Sequence, residues 1–225
     1  MISGLLSIFI GTFFGLSQKR VKRLIIFSSI AQVGFMICGL SLNTPESFVF
    51  VYFFLFIYLI TSILIWGHIT IFYSFQRKTS EFSNLVLTPL FLTSFSSLSK
   101  FNGVLSFSFL IILFSIAGIP VLTGFLSKVF VVSEILKSSQ VLFGVLLMLI
   151  SSISVFYYIR IIKVIYFEPN VFSVQDKEGF QITYSDLDII FFISAILLFF
   201  LVILFVKPSS LFLICEYIVF SSSGI

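Results

Sequence analysis

Polar positions are sparse along this 225-residue chain, and where they cluster they separate long apolar stretches. These stretches run at about 1–17, 24–42, 48–75, 105–136, 139–166 and 188–206. A helix rises about 1.5 Å per residue, so about 20 residues cross a hydrocarbon core of roughly 30 Å. The pattern therefore predicts an all-α membrane protein with about six transmembrane helices. Helix is required because an unpaired backbone amide in lipid costs several kcal/mol, and the alternation of a membrane barrel strand is missing. A seventh run at 209–220 follows Lys207 and Pro208 and carries Glu216. It is too short to cross and is expected as an interfacial tail. Together these segments make one membrane domain over 1–225, and 76–104 is long and apolar enough to hold a further interfacial helix.

Composition sharpens the picture. Hydrophobic residues make up 59% of the chain and charged residues 10%, with a mean hydropathy of +1.22. Soluble domains carry about a quarter charged residues, so a water-soluble globule is excluded. Thirty-three phenylalanines against the alanines Ala31, Ala117 and Ala195 point to an AT-rich coding sequence of the organelle kind. Residues 1–16 lack a basic leader and a small-residue cleavage site, so they are expected to be a first span and not a removable signal.

The net charge of +4 indicates membrane topology and not a nucleic-acid partner, because the basic residues lie between apolar runs. Lys19, Arg20, Lys22, Arg23, Arg77, Lys78, Lys100, Lys177 and the helix-end pair Arg160 and Lys163 fall on one side. Only Lys137 and Lys207 fall on the other. The excess places the loops near 18–23, 76–104 and 167–187 on the cytoplasmic or matrix side, with both termini facing the opposite compartment. Cys38 and Cys215 both sit within apolar runs without disulfide or metal-ligand spacing, so no metal is expected.

Soluble catalytic constellations are absent from the sequence: there is one histidine, no paired carboxylates at an apolar pocket and no phosphate-cradling loop. Chemistry must come from polar groups inside the spans, where an ionisable residue is expensive and points to function. Lys128 lies within the fourth run, downstream of Gly118-Ile119-Pro120 and Gly124. Pro120 removes a donor and crowds the Ile116 carbonyl, so the helix is expected to kink or break there. Carbonyls freed beside a buried amine form a polar pocket, as in discontinuous transporter helices. Desolvation disfavours the charged form of a buried amine, which suits proton exchange near neutrality. The alternative is a lysine that snorkels past a simple kink. Glu134 lies six residues on, about 240° around a straight helix, so pairing with Lys128 is not expected.

Lys22 and Arg23 precede the second span and read as topology anchors, followed by Ser28, Ser29, Gln32 and Gly34. His68, late in the third span, is either a proton relay or a helix-to-helix hydrogen bond. Tyr157, Tyr158 and Arg160 close the fifth span as an interface belt and a snorkelling arginine.

Three of these stretches also carry a resemblance. Leu16-Ser17-Gln18 through Lys22-Arg23-Leu24 to Ser28-Ser29-Ile30 resembles the signature ALxQxxxKRLLxYSSIxHxG of the antiporter-like membrane subunits of respiratory complex I, NADH:quinone oxidoreductase. Ser115-Ile116-Ala117-Gly118-Ile119-Pro120 through Gly124-Phe125 to Lys128 is similar to SLAGIPPxxGFxxK, and Phe156-Tyr157-Tyr158-Ile159-Arg160 to YYxR. Within that family the order and spacing are most similar to the subunit 2 family, and Glu134 after Lys128 to its mitochondrial members.

The resemblance implies two inverted five-helix repeats, each with a broken helix, through which protons pass by buried lysines and water. It implies that the six spans are the second repeat plus a last helix, helices nine to fourteen, and that Lys128 is the proton carrier of the second broken helix. His68 and Glu134 are then candidate relays, with Gly118, Pro120 and Gly124 at the break and Lys22, Arg23, Ser28, Ser29, Gln32, Tyr157 and Arg160 as motif residues. No redox cofactor is bound by such a subunit; FMN, iron-sulfur clusters and ubiquinone belong to partners. Family members are about twice as long, so a split subunit is expected, with a separate chain carrying the first half. Gln32 departs from the family's histidine and cannot titrate near neutrality.

The expected function is thus a mitochondrial inner-membrane, proton-translocating subunit without autonomous catalysis, surrounded by other complex I membrane subunits and lipid. Two rivals remain open: a structural membrane-arm subunit whose proton path is broken at Gln32, and a stand-alone cation/proton antiporter subunit.

Overall fold

The computed structural model describes residues 1–83, 95–96, 103–120, 122–138, 140–168 and 185–223. Its elements are α1 (Ile2–Ser17), α2 (Val21–Leu40), α3 (Pro45–Ser83), α4 (Gly103–Ala117), α5 (Thr123–Lys137), α6 (Val141–Phe167), α7 (Ser185–Val206) and α8 (Ser209–Ser223). The fold is all-helical among the described residues, as the apolar runs predict.

The runs do not all become single long helices. Val21–Leu40, Pro45–Tyr73 and Val141–Phe167 are each long and apolar enough to cross a membrane alone. The 16 residues of α1 reach only about 24 Å. The fourth run is divided at 118–122 into α4 and α5, each of 15 residues. That is the break expected near Pro120. The segment Ile190–Val206 meets Ser209–Ser221 at 89°. Pro208 stands at this corner: it lacks the amide that would continue the ladder, while its own carbonyl accepts from Leu211 and Phe212 at 3.2 and 3.1 Å.

Two boundaries move relative to the sequence expectation. α2 begins at Val21, so Lys22 and Arg23 stand in its first turn and not in a loop. Lys22 Nζ lies 5.3 Å from the Tyr73 ring centroid, a cation–π contact that ties the start of α2 to the far part of α3. α3 continues to Ser83, past the expected end at 75, because no proline or glycine stops it there. Of 76–104, residues 84–94 and 97–102, Lys100 included, lie outside the described residues, as do 169–184 with Lys177 and the side chains of Arg77 and Lys78.

Lipid supplies no hydrophobic force between helices, so close packing must hold them together. α1 and α2 achieve it through small residues. A Cβ at Gly11 would stand 2.7 Å from the Ala31 amide nitrogen and the Phe27 carbonyl oxygen, and one at Gly4 would meet the Cys38 sulfur. α1 also packs on α6, α2 on α3 and α5, and α3 on α4, α5, α7 and α8. One apolar cluster gathers Leu24, Phe53, Leu64, Phe109, Tyr158 and Leu201. A second joins Ile8, Phe35, Phe54, Val131, Ile135 and Leu147. The break between α4 and α5 lies against α2 and α3.

Candidate functional site

The site starts from a missing hydrogen-bond donor. In an unbroken helix the carbonyl of Ile116 would accept from residue 120, which is a proline. The chain leaves the helix at Gly118, whose φ of +83° is open to glycine and strained for other residues. The amides of Gly118 and Ile119 fold back onto the Phe114 carbonyl at 3.1 and 3.2 Å. The carbonyls of Ile116 and Ala117 are thereby freed.

Lys128, on the second turn of α5, occupies them. Its Nζ donates to Ile116 O at 2.9 Å and to Ala117 O at 3.0 Å, and lies 5.8 Å from the Phe35 ring centroid. The lysine is 8% exposed, so it does not snorkel to a surface of the chain. Gly124 lets α5 come this close to α4: a Cβ there would overlap the Ser115 carbonyl. Gln32 of α2 donates from Nε2 to the same Ile116 oxygen at 3.3 Å.

Several buried hydroxyls around the break form no well-shaped hydrogen bond among the described residues: Ser115, Thr123, Tyr157 and Tyr158. The Tyr158 phenol faces the side chains of Ser28, Gln32 and Tyr157. Buried polar atoms left this way are ordinarily satisfied by water. Beside Ser115 there is room for it. A cavity of about 20 Å³ borders Lys128, Gln32, Tyr58, Thr61, Ser115 and Ser127, enough for one water molecule. A second, of about 90 Å³, borders Ser28, Ser29, Gln32, Tyr58, Thr61 and Ser62. Gln32, Tyr58, Thr61 and Ile116 line both.

The other residues singled out in the sequence separate into groups. Ser28 and Ser29 donate to the Ile25 and Ile26 carbonyls, each at 2.7 Å, and also line the larger cavity. Tyr157 and Tyr158 are buried against each other with ring centroids 4.4 Å apart, so they are core residues and not an interface belt. The hydroxyl of Tyr158, rather than that of Tyr157, turns toward Gln32. Arg160 is exposed and donates to the Leu16 carbonyl at 3.1 Å, clamping the end of α1. His68 is buried but lines neither cavity. Its Nδ1 donates to Leu64 O at 2.9 Å, and its Nε2 lies 2.7 Å from Ser108 Oγ, which joins α3 to α4.

Glu134, 6% exposed, does not meet Lys128. It accepts from Lys137 at 2.5 Å, and Lys137 also lies 3.5 Å from Glu46 at the start of α3. This hydrogen bond and charge hold the Lys137 ammonium above its ordinary value. Tyr58 and Thr61, which border both cavities, are among the site residues that sequence reasoning missed, with Ser62 and Ser127. Three apart, Tyr58 and Thr61 share one face of α3, but the sequence of an apolar helix does not mark that face as lining a cavity.

Among the described residues, no group of three or more His, Cys, Asp or Glu side chains is arranged to hold a metal. The arrangement suits reversible proton binding at one amine, beside carbonyl acceptors and water-sized space.

Residues 1–156 match the transmembrane family described as NADH:quinone oxidoreductase/Mrp antiporter. The chain is 32% identical over 216 residues to NADH-quinone oxidoreductase subunit N of Hydrogenovibrio crunogenus, covering 96% of this chain and 41% of that protein. It is 36% identical over 170 residues to NADH-ubiquinone oxidoreductase chain 2 of Rhizopus oryzae, covering 75% and 32%. A chain of respiratory complex I from Thermus thermophilus with bound aureothin superimposes with a TM-score of 0.67 at 21% identity, covering 93% of this chain and 43% of that one. This chain therefore spans less than half the length of these relatives. Because the family match extends over residues 1–156, well over half of its length, the chain belongs to the NADH:quinone oxidoreductase/Mrp antiporter transmembrane family.

Proposed function

We propose that this chain is a proton-translocating part of the membrane arm of a NADH:ubiquinone oxidoreductase, and that Lys128 is the group in it that takes up and releases the proton. The carrying observation is the pair of contacts from Lys128 Nζ to the freed Ile116 and Ala117 carbonyls. A protonated amine donates to both. Once neutral it keeps two N–H bonds, so the same cradle accepts either state, and its remaining direction faces the cavity beside it. NADH oxidation, its flavin, iron-sulfur clusters and ubiquinone reduction belong to other subunits. This chain contributes the buried site, its water-sized space and no redox group.

The Rhizopus relative bears the name of a NADH-ubiquinone oxidoreductase, which together with the phenylalanine-rich composition supports a place in the mitochondrial inner membrane. The concentration of lysine and arginine on one set of loops supports both termini facing the intermembrane space. The relatives' greater length supports a separate chain that completes the subunit.

Replacing Lys128 with Met tests the central claim. The complex should still assemble on a native gel and oxidise NADH, with fewer protons pumped per NADH; unchanged stoichiometry removes the assigned role. Mass spectrometry of the NADH-active native band tests the context, and a band lacking any chain for the missing helices argues against a split subunit. One observation favours the structural reading: Gln32, which cannot titrate, stands where Lys128 meets α2. That reading expects Lys128→Met to leave pumping unchanged while deletion of the chain stops assembly.

A further inference from the structure

After the corner at Pro208, α8 brings an aromatic side chain back to the helix that carries the lysine. α8 packs on α3, with Leu211, Cys215 and Val219 buried in one stripe. Beside this stripe, Phe212 stacks its ring on that of Phe53 of α3, with centroids 4.4 Å apart and planes 7° from parallel. It stands edge-on to Phe130 of α5 at 4.9 Å and to Phe50 of α3 at 5.7 Å. Phe130 closes the group, stacking on Phe50 at 5.3 Å and meeting Phe53 edge-on at 5.7 Å. Stacked and edge-to-face arrangements are the favoured geometries of aromatic pairs, so four rings bind α3, α5 and α8 into one unit.

Phe130 lies two residues beyond Lys128, about 200° around α5, so the two side chains leave opposite faces of the helix. The lysine side meets α4, where Nζ reaches the Ile116 and Ala117 carbonyls at 2.9 and 3.0 Å and Gly124 lies against the Ser115 carbonyl. α5 is thus held between the break on one side and the ring group on the other. Lipid does not press helices together, so their separation is set by the side chains packed between and behind them. N–H···O bonds span about 2.7–3.2 Å, and a retreat of α5 by about 0.5 Å takes both lysine contacts out of that range. Phe53 also adjoins Phe54, which with Ile57 borders the smaller cavity. The same rings therefore back the wall of the water-sized space.

We infer that Phe212 is a positioning residue for the Lys128 site: its ring, wedged against Phe53 and Phe130, holds α5 forward so that Nζ meets the freed carbonyls. Phe212 lines neither cavity and acts only through α3 and α5. The consequence for pumping rests on the role proposed above for Lys128, whereas the wedge rests on the ring geometry alone.

The test uses three variants in the assembled complex. Phe212→Ala removes the wedge, Phe212→Leu removes the ring but keeps most of its volume, and Phe212→Tyr keeps the ring. Two quantities are read: amide hydrogen exchange across residues 123–137, and protons pumped per NADH in native membrane vesicles. Phe212→Ala should speed exchange in α5 several-fold and lower protons per NADH by about half or more, because misplacing a reacting group by about 1 Å is costly. Phe212→Tyr should keep both near their starting values. Leu213→Ala, next along α8 and 66% exposed, should change neither. A ring that only stabilised the fold would reduce the amount of assembled complex and leave its protons per NADH alone. Where Phe212→Ala fails to assemble, Phe212→Leu carries the same expectation. Unchanged exchange in α5, or a Tyr variant as damaged as the Ala variant, overturns the inference. So does faster exchange with normal pumping when Lys128→Met lowers pumping. If Lys128→Met also pumps normally, the role of the lysine falls, while faster exchange in α5 still upholds the wedge.

Discussion

Gln32 and Lys128 donate to one and the same oxygen, the carbonyl of Ile116, at 3.3 and 2.9 Å. One comes from α2 and the other from α5, so the freed carbonyl joins two helices to the break of a third chain segment. A neutral amide hydrogen bond contributes about 1 kcal/mol net, one to a charged group about 1.5–3. The lysine contact is accordingly the stronger, and Gln32 fixes the carbonyl's direction and borders both cavities.

Gln32→Leu should therefore leave the complex assembled and slow NADH-driven proton pumping by up to about fivefold, in line with losing roughly 1 kcal/mol of positioning. Lys128→Met should have the larger effect. Proton uptake by membrane vesicles, normalised to NADH oxidation, measures both. Equal and complete loss in the two variants would give Gln32 a part in transfer and not merely in positioning.

The glycines at the break should be intolerant of a single methyl, for different reasons. At Gly124 the methyl overlaps the Ser115 carbonyl, forcing α4 and α5 apart; overpacking of this kind typically costs about 1–3 kcal/mol. At Gly118 the penalty is the backbone, whose φ of +83° opposes any side chain by about 1–2 kcal/mol. An added Cβ would also stand 3.1 Å from the Lys128 Cδ and Nζ. Gly124→Ala and Gly118→Ala should each lower the amount of assembled complex on native gels several-fold, and Gly103→Ala, where nothing lies within 4 Å, should not.

The break and its lysine were legible in the sequence because one residue decides them. Pro120 lacks the amide that Ile116 requires, and Lys128 comes after the 27 uncharged residues that follow Lys100. Thr61 was not legible as part of a water-sized space. Its hydroxyl is satisfied within its own helix by the Ile57 carbonyl at 3.0 Å, as a serine or threonine in any buried helix would be. Only packing against Gln32 and Ile116 shows that it lines a cavity. The turn of Tyr158 toward Gln32, with Tyr157 beside it, likewise depends on how α6 is rotated, which a uniformly apolar helix does not encode. The extension of α3 to Ser83 was hidden by Arg77 and Lys78: charge marks where a span leaves the apolar core, not where the helix stops.

His68 is built as a strut between helices. A carbonyl only accepts, so Nδ1 carries a proton toward Leu64, while Nε2 lies 2.7 Å from Ser108 Oγ, a hydroxyl that also reaches the Leu105 carbonyl at 2.9 Å. Its ring also stacks on Phe109 with centroids 6.0 Å apart. His68→Gln should keep most of the assembled complex and leave protons pumped per NADH unchanged, because the ring borders neither cavity. A drop in stoichiometry with normal assembly would instead make it a relay.

At the far end of α5 the relation of charge to burial predicts a pH response. Lys137 is exposed and reaches two carboxylates, Glu134 and Glu46, whose side chains are 7% and 70% exposed. Solvent screens the Glu46 contact, so the pairing with Glu134 dominates. That pairing raises the lysine above its ordinary 10.5. A group whose folded value is raised stabilises the fold fully below its unfolded value and loses that contribution as pH rises through the folded one. The midpoint of thermal unfolding of the detergent-solubilised complex should therefore carry no contribution to its slope from this pair between about pH 7 and 9, and lose stability above about 10.5. Lys137→Met should lower the midpoint at neutral pH, because it leaves the Glu134 carboxylate buried without a partner. Adding Glu134→Gln should recover part of the loss by removing the stranded charge, a recovery that a simple loss of packing by Lys137 would not give. A double variant no better than Lys137→Met would mean that the lysine acts through Glu46 or through its own contacts.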